Sequence, residues 1–304
     1  MADVESLTVR ACTSDDLGTV LALARADEER INGRPSRLVD GDVRDWWQTV
    51  DLAANSWLLT SPETRAAVGT AWLDLPARNL GVTFPIATRP ELMPVLIDLV
   101  ERRAVEAGVE RLQTVVLVPD PPAEQLLAGL GYEDIRRFFE MAIEFDDEPD
   151  AAVLPDGFSL HVATADDGRA FHAATDEAFQ DHWEHHSRPF DEWWQTRTSD
   201  PEFDIAWWFM VRSGDEIVAT IRNVPARNGG VYVATLGVRR NWRGLGLAKA
   251  LLHHTFARSY EAGFRRVTLG VDASSPTGAT ALYRSVGMTT ELESAVWEKR
   301  LGQP

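Results

Sequence analysis

The sequence is poor in the features that mark exported or membrane-bound proteins. Its 304 residues include a single cysteine, Cys12, so no disulfide can form within the chain. The apolar runs are far shorter than the roughly 18 residues that a membrane-spanning helix needs. The first ten residues, MADVESLTVR, lack the basic and apolar pattern of a secretion signal. We therefore expect a cytoplasmic protein that does not bind a membrane.

Basic residues are also scarce. Lysine and arginine total 30 against 47 aspartates and glutamates, which gives a formal net charge of −17. A nucleic-acid-binding protein normally carries a basic face, so this balance argues against that class of partner. An acidic surface would steer cationic acceptors such as amines toward the protein. It would equally serve solubility alone, and the composition leaves both interpretations open.

The chain length predicts two domains, each large enough to bury its own core. An acidic stretch with two prolines, from Asp146 to Gly157, contains little that could be buried and is typical of a linker. We therefore predict domains over residues 1–147 and 157–304.

Internal repeats support this division. Residues 45–49 (DWWQT) resemble residues 192–196 (EWWQT), and the sequence PARN occurs at both 76–79 and 225–228. The later segment 123–132 (AEQLLAGLGY) parallels 279–288 (ATALYRSVGM). The two halves are therefore predicted to be copies of one fold.

The second copy contains a glycine-rich turn that the first copy lacks. An apolar strand over 231–238 leads into the turn, and a helix pattern that includes Ala250 and Leu251 follows. Amide groups at a helix start have no helical acceptor, and the helix dipole adds positive potential, so such a turn can bind phosphate. The turn is neither a Walker loop, which ends in Gly-Lys-Ser/Thr, nor a dinucleotide fingerprint, because Lys249 occupies its third glycine position.

The spacing Arg-x-x-Gly-x-Ala, at Arg243, Gly246 and Ala248, resembles the pyrophosphate loop of the GCN5-related N-acetyltransferase (GNAT) superfamily. Residues 236–238 and the segment 279–288 with Tyr283 are similar to that family's bulged fourth strand and later helix. The resemblance implies an α/β (α+β) fold of two tandem domains, each a mixed, mostly antiparallel sheet flanked by helices. It also implies a splay between the fourth and fifth strands. The two-copy layout is similar to that of the mycothiol synthase group.

The same resemblance implies acetyl-CoA as the cofactor. Loop amides would hold the pyrophosphate, the backbone of the fourth strand would pair with the pantetheine arm, and a serine replaces the family's asparagine. Arg243 would add positive charge, or would serve only as a surface-turn arginine. The residues expected to contact the coenzyme are Leu236, Gly237, Val238, Arg243, Gly244, Leu245, Gly246, Leu247, Ala248 and Ser275.

For catalysis, Tyr283 matches the family's general acid, which would protonate the leaving thiolate. The fourth strand carries no carboxylate between residues 232 and 236, so we expect the general base in the segment 181–186. Glu184 is the leading candidate there, with His182 and His185 as alternatives, acting directly or through water. A polar helix face without a catalytic role would explain the same residues equally well. Three histidines on one helix make a poor tetrahedral cage, and no metal is expected.

The first copy has lost the features that carry this chemistry. Residues 86–92 (IATRPEL) contain no glycine, and Leu127 stands opposite Tyr283. We therefore expect the second copy to work alone, as an N-acetyltransferase acting on a small-molecule amine. A non-catalytic CoA-binding or interaction protein and a protein or peptide N-acetyltransferase remain alternatives. The sequence does not fix the oligomeric state.

Overall fold

The computed structural model describes residues 7–77, 79–275 and 277–302. They form two units whose boundaries differ from the linker predicted from composition. The first unit runs to Phe139 and also includes the chain from Leu292 onward, whereas the second unit is Glu140–Glu291. The difference has two causes. The residues just before the predicted linker, from Glu140 onward, belong to the second unit, and the end of the chain, from Leu292 onward, belongs to the first.

The first unit is a sheet with helices on it. Its elements are β1 (Thr8–Arg10), α1 (Leu17–Asn32), α2 (Asp40–Trp47), α3 (Leu52–Asn55), β2 (Ser56–Thr60), β3 (Ala67–Ala77), β4 (Leu80–Thr83), β5 (Ile86–Ala87), α4 (Met93–Glu106), β6 (Arg111–Val118), α5 (Pro121–Gly129) and the start of β7 (Glu133–Glu144). The strand order is β1-β2-β3-β4-β6, with β5 paired to β3. The pairs are antiparallel except for β4 and β6, which run parallel.

The second unit repeats this arrangement. Its elements are β8 (Ser159–Val162), α6 (Gly168–Phe179), α7 (Phe190–Thr198), β9 (Trp208–Ser213), β10 (Glu216–Arg227), β11 (Gly230–Val238), α8 (Leu247–Glu261), β12 (Arg266–Asp272) and α9 (Ala279–Ser285). The strand order is β8-β9-β10-β11-β12, and again only the last of these pairs is parallel. The mixed, mostly antiparallel sheet predicted for each copy is confirmed.

The closing strands of the two units are exchanged. In the second unit, the end of β7 lies beside β12, where the amide of Phe145 donates to the carbonyl of Arg265 at 2.9 Å. In the first unit, the C-terminal strand β13 (Thr289–Arg300) pairs antiparallel with β6, from Glu293 opposite Val118 to Arg300 opposite Arg111. Each sheet is therefore completed by a strand that comes from the other half of the sequence.

The two copies begin their first helix in the same way. In each, a threonine amide donates to an aspartate carboxylate three residues later: Thr13 to Asp16 at 2.8 Å, and Thr164 to Asp167 at 2.9 Å. Such capping satisfies a donor that the helix start leaves without a partner. The structural repeat therefore extends to the details of helix initiation.

Apolar side chains fill the space between helices and sheet in each unit. Ile97 on α4 and Leu112 on β6 are fully buried in the first unit, as are Phe171 on α6 and Leu251 on α8 in the second. Burying a side chain of this size contributes about 1.5–3 kcal/mol. Cys12 is likewise buried, as expected of a small apolar residue. No helix in the described ranges is long and apolar enough to cross a membrane.

Candidate active site

The fourth strand of the second unit, β11, parts from the fifth, β12. Parallel pairing runs from Val231 opposite Val267 to Val233 opposite Leu269, although β11 continues to Val238. On the other side of β11, Ala234 is an extra residue in the register with β10. Such a bulge bends a strand away from its neighbour. The predicted splay between the fourth and fifth strands is confirmed, and Leu236, Gly237 and Val238 lie on the open segment.

Gly237 is required by the close approach of α6 to this segment. A Cβ atom at Gly237 would lie 2.8 Å from the Cβ of Ala178 and 3.3 Å from Cε2 of Phe179. Contacts below 3.0 Å force the backbone or its neighbour to move, so the end of α6 rests directly on the strand. This contact fixes α6 relative to the open edge of β11.

The loop between β11 and α8 presents amide donors. Gly244 and Gly246 have φ angles of 79° and 81°, a region that favours glycine, and no side chain caps the start of α8. Within the part of the chain that the structure describes, the backbone amides from Gly244 to Lys249 have no acceptor. Converging free amides at the positive end of a helix dipole form an anion site.

Arg243 connects the start of this loop to β11 and to the end of α6. Its Nε donates to the carbonyl of Val238 at 3.1 Å, and its two terminal nitrogens donate to Asp181 at 2.9 Å and to the carbonyl of Ala178 at 3.0 Å. Hydrogen bonds from Arg243 and Arg240 lower the pKa of the Asp181 carboxyl. The guanidinium therefore joins the end of α6 to the end of β11 and holds the loop in shape.

Tyr283 lies on α9 and is 8% exposed. Burial, with a smaller contribution from Tyr232, raises its pKa to about 12. A thiol has a pKa of about 8.5, so full proton transfer from this phenol to a thiolate would be uphill by about 5 kcal/mol. The buried hydroxyl is therefore suited to donate a hydrogen bond to a leaving sulfur and to stay protonated while doing so.

A pocket of about 190 Å³ opens beside β11 in the second unit. It is lined by His172, Thr175, Asp176, Phe179, His185, His186, Arg188, Trp193, Arg197 and Thr235. Thr235 belongs to β11, and its buried hydroxyl has no partner among the described residues. The pocket thus reaches the same strand that carries the open edge.

Inside this pocket Oδ1 of Asp176 lies 3.1 Å from Nε2 of His185. Both side chains are about a quarter exposed, at 24% and 22%. A carboxylate in this position orients an imidazole. The pair has the composition of a general base with its orienting group.

Comparison with known proteins places this geometry in a family. Residues 169–288 match the sequence model of the acetyltransferase (GNAT) family. A solved GCN5-related N-acetyltransferase from Sphaerobacter thermophilus superimposes with a TM-score of 0.82 and 27% identity, covering 97% of this chain and 96% of that one. Residues 169–288 therefore form a GNAT domain. The fold of the whole chain is shared by a tandem GNAT protein from the clavulanic acid biosynthesis pathway, over 98% of this chain and 99% of that one, with a TM-score of 0.73 and 15% identity.

Curated relatives are named mycothiol acetyltransferases. That of Streptomyces scabiei is 31% identical over 173 residues, which are 55% of this chain and 53% of the relative. That of Corynebacterium efficiens is 31% identical over 195 residues, or 59% of this chain and 62% of the relative. The chain therefore spans less than two thirds of the length of these relatives. Proteins of the GNAT family generally use acetyl-CoA.

The first copy has no open anion site in the corresponding region. Pro90 and Pro94 stand where its helix begins, and proline has no amide hydrogen to offer an anion. Arg30 pairs with the buried carboxylate of Asp120 at 2.6 Å, and both line a pocket of only about 20 Å³. The loss of the anion loop that the sequence predicts is accompanied here by an ion pair that fills the space.

The geometry of the pocket reduces the number of candidates for the catalytic base. The expectation of a helix through residues 181–186 is wrong, because α6 ends at Phe179 and Glu184 has a φ of 52°. Glu184 approaches His186, with Oε2 and Nε2 3.7 Å apart, and is not among the pocket-lining residues. His182 stacks on Phe179 at 4.3 Å between ring centroids, and burial lowers its pKa. Of the predicted candidates, only His185 lines the pocket.

Asp176 lines the pocket but lies before the segment 181–186 in which the base was expected. His172, Thr175, Asp176 and Phe179 follow the spacing of one face of α6. That periodicity was the available signal.

The coenzyme candidate Ser275 lies in the turn after β12, where its amide donates to the carbonyl of Asp272 at 3.1 Å. Its hydroxyl lies 2.9 Å from that of Thr277. Across the described residues, no group of three or more histidine, cysteine or acidic side chains is arranged to hold a metal ion.

Proposed function

We propose that the second unit transfers an acetyl group from acetyl-CoA to the amine of a small molecule. The observation that carries this proposal is the row of acceptor-free amides from Gly244 to Lys249, which follows the open segment of β11 in the chain. A diphosphate and an extended amide-containing arm are what these two features would bind together.

The residues present fit the coenzyme. The amides of Gly244, Leu245, Gly246, Leu247 and Ala248 would hold the pyrophosphate. Arg243 would stabilise the loop through its hydrogen bonds to Val238 and Asp181. The backbone of Leu236, Gly237 and Val238 would pair with the pantetheine arm as a neighbouring strand would. Ser275 lies on the other side of the splay, after β12, and would contact the coenzyme there. When bound, the coenzyme supplies a thioester that an amine can attack.

The acceptor would enter the pocket beside Thr235. His185, oriented by Asp176, would take the proton that the amine nitrogen loses as it forms the amide bond. Tyr283 would donate a hydrogen bond to the sulfur as its bond to the acetyl carbon breaks. Glu184 is the alternative base, reaching the amine through a water molecule. A pocket of about 190 Å³ is small beside the roughly 300–1,000 Å³ of drug-sized sites, which favours a small acceptor over a folded protein.

Calorimetry and turnover on the full chain test this proposal together. Acetyl-CoA and CoA should bind, and a panel of small primary amines should yield a substrate whose acetylation releases free thiol. Tyr283→Phe should lower kcat and leave the Kd of CoA unchanged. Tyr132→Phe is the matched control, because Tyr132 is also buried but belongs to the first unit.

The other functions predict different results. Binding of CoA without turnover of any amine or peptide would support a non-catalytic CoA-binding protein. Turnover of peptides in preference to small amines would support a peptide N-acetyltransferase. Absence of CoA binding would refute the proposal outright.

A further inference from the structure

The acceptor pocket carries a charge opposite to that of the whole protein. The chain has a formal net charge of −17, yet the pocket lining includes two arginines, Arg188 and Arg197, against the single carboxylate of Asp176. An acceptor that was simply a cationic amine would be repelled at short range by this lining.

Arg188 is a pocket arginine without a carboxylate partner among the described residues. It is partly buried, and in the ranges that the structure describes it forms no ion pair and no hydrogen bond. Two aspartates close to it in sequence form ion pairs with other arginines: Asp181 with Arg243 at 2.9 Å, and Asp191 with Arg169 at 2.8 Å. A partly desolvated guanidinium favours a planar anionic partner, which it can bind through two parallel hydrogen bonds.

Other residues of the pocket lining contact one another. Cζ of Arg197 lies 5.8 Å from the centre of the Trp193 ring, and the His172 ring lies 4.8 Å from that ring. The carboxylate of Asp176 is directed to His185 at 3.1 Å. The lining therefore combines an acid–imidazole pair that suits an amine with a cation that suits an anion.

We propose that the acceptor is a small zwitterionic amine, whose primary amine lies at the Asp176–His185 pair and whose carboxylate is bound by Arg188. The proposal rests on the function proposed above and names the substrate class of the same pocket. It replaces the expectation, drawn from net charge, of an acceptor that is cationic throughout. A phosphate on the acceptor would bind by the same chemistry, and the test separates the two anions.

The experiment compares acceptors that differ only in this charge. The pairs are glycine and glycinamide, β-alanine and its amide, 4-aminobutyrate and its amide, and 2-aminoethyl phosphate against ethanolamine. For the full chain with saturating acetyl-CoA, kcat/KM should favour at least one carboxylate over its amide by ten-fold or more. In Arg188→Gln this preference should be lost, mainly through a higher KM for the carboxylate, and the kcat/KM of the matching amide should fall by a smaller factor.

Arg169→Gln is the matched control, since Arg169 lies on α6 but outside the pocket. It should keep the wild-type preference. Calorimetry with CoA present gives a readout without turnover: the favoured carboxylate should bind the wild type more tightly than its amide, and Arg188→Gln should remove the difference.

An equal or greater preference for the amides in the wild type would overturn the zwitterion proposal, and so would an unchanged preference in Arg188→Gln. Preference for the phosphate acceptor alone would refute the carboxylate. In each of these cases CoA binding and amine acetylation would still stand, whereas loss of both would instead refute the proposed function.

Discussion

Gly246→Ala should separate the anion-binding role of the β11–α8 loop from its contribution to stability. Gly246 has a φ of 81° and precedes α8, and a Cβ there would meet nothing within 4 Å. Alanine therefore fits sterically but disfavours the left-handed conformation by about 1–2 kcal/mol. The loop can relieve this strain only by changing its backbone conformation, which would turn its amides away from the proposed pyrophosphate position.

Gly263→Ala is the matched control. Gly263 follows the other end of α8 with a φ of 88°, and a Cβ there also meets nothing within 4 Å. The two variants should therefore lose similar stability, about 1–2 kcal/mol, which is about 2–8 °C in Tm for a unit of this size. Only Gly246→Ala should weaken coenzyme binding, because only it lies among the acceptor-free amides.

Loss of one hydrogen bond to a charged group costs about 1.5–3 kcal/mol. The Kd of CoA should therefore rise about 10- to 150-fold in Gly246→Ala and stay within two-fold in Gly263→Ala. Calorimetry gives both affinities, and thermal unfolding without ligand gives both stabilities. Equal affinities in two equally destabilised variants would show that the loop amides do not hold the coenzyme.

Three further predictions concern the same unit. His185→Gln should lower kcat/KM by about 10²–10⁴-fold with an unchanged Kd for CoA; a larger loss in Glu184→Gln would instead assign Glu184 as the base. Gly237→Val should destabilise the unit by about 1–3 kcal/mol, measured by urea unfolding, because its first side-chain carbon would lie 2.8 Å from Ala178; wild-type stability would contradict the tight approach of α6. The pKa of Tyr283 is about 12 in the folded protein and about 10 in the unfolded chain. The unfolding free energy should therefore fall by about 2–3 kcal/mol as the pH rises from 10 to 12, because the unfolded chain loses the phenol proton first. Tyr283→Phe should show a shallower decline in unfolding free energy over this range.

The loop and the strand pattern could be predicted because they depend on local chemistry. Glycines just before a helix often adopt a positive φ, as Gly244 and Gly246 do, and an apolar run is typical of a strand. The Asp176–His185 pair could not be predicted, because it forms only after the chain reverses at the left-handed backbone of Glu184. A helix drawn through residues 181–186 would have sent those side chains elsewhere.

The contacts of Arg243 could not be predicted from the sequence either. Its place in the motif indicated charge for a phosphate, yet its nitrogens donate to acceptors on β11, on α6 and just beyond α6, which only the tertiary fold brings within reach. Likewise, nothing in the composition of the last strand indicated that it would pair with residues 111–118. Partner choice between distant strands depends on the whole chain and leaves little trace in either strand alone.

The exchange of closing strands gives a reason for the persistence of both copies. A gene shortened to the half that carries the glycine-rich loop would delete the end of β7, which lies beside β12. The bared flank of β12 would then offer unpaired backbone groups to any other chain, a common route to aggregation. Loss of the first half of the sequence would in this way leave the second half with an incomplete sheet.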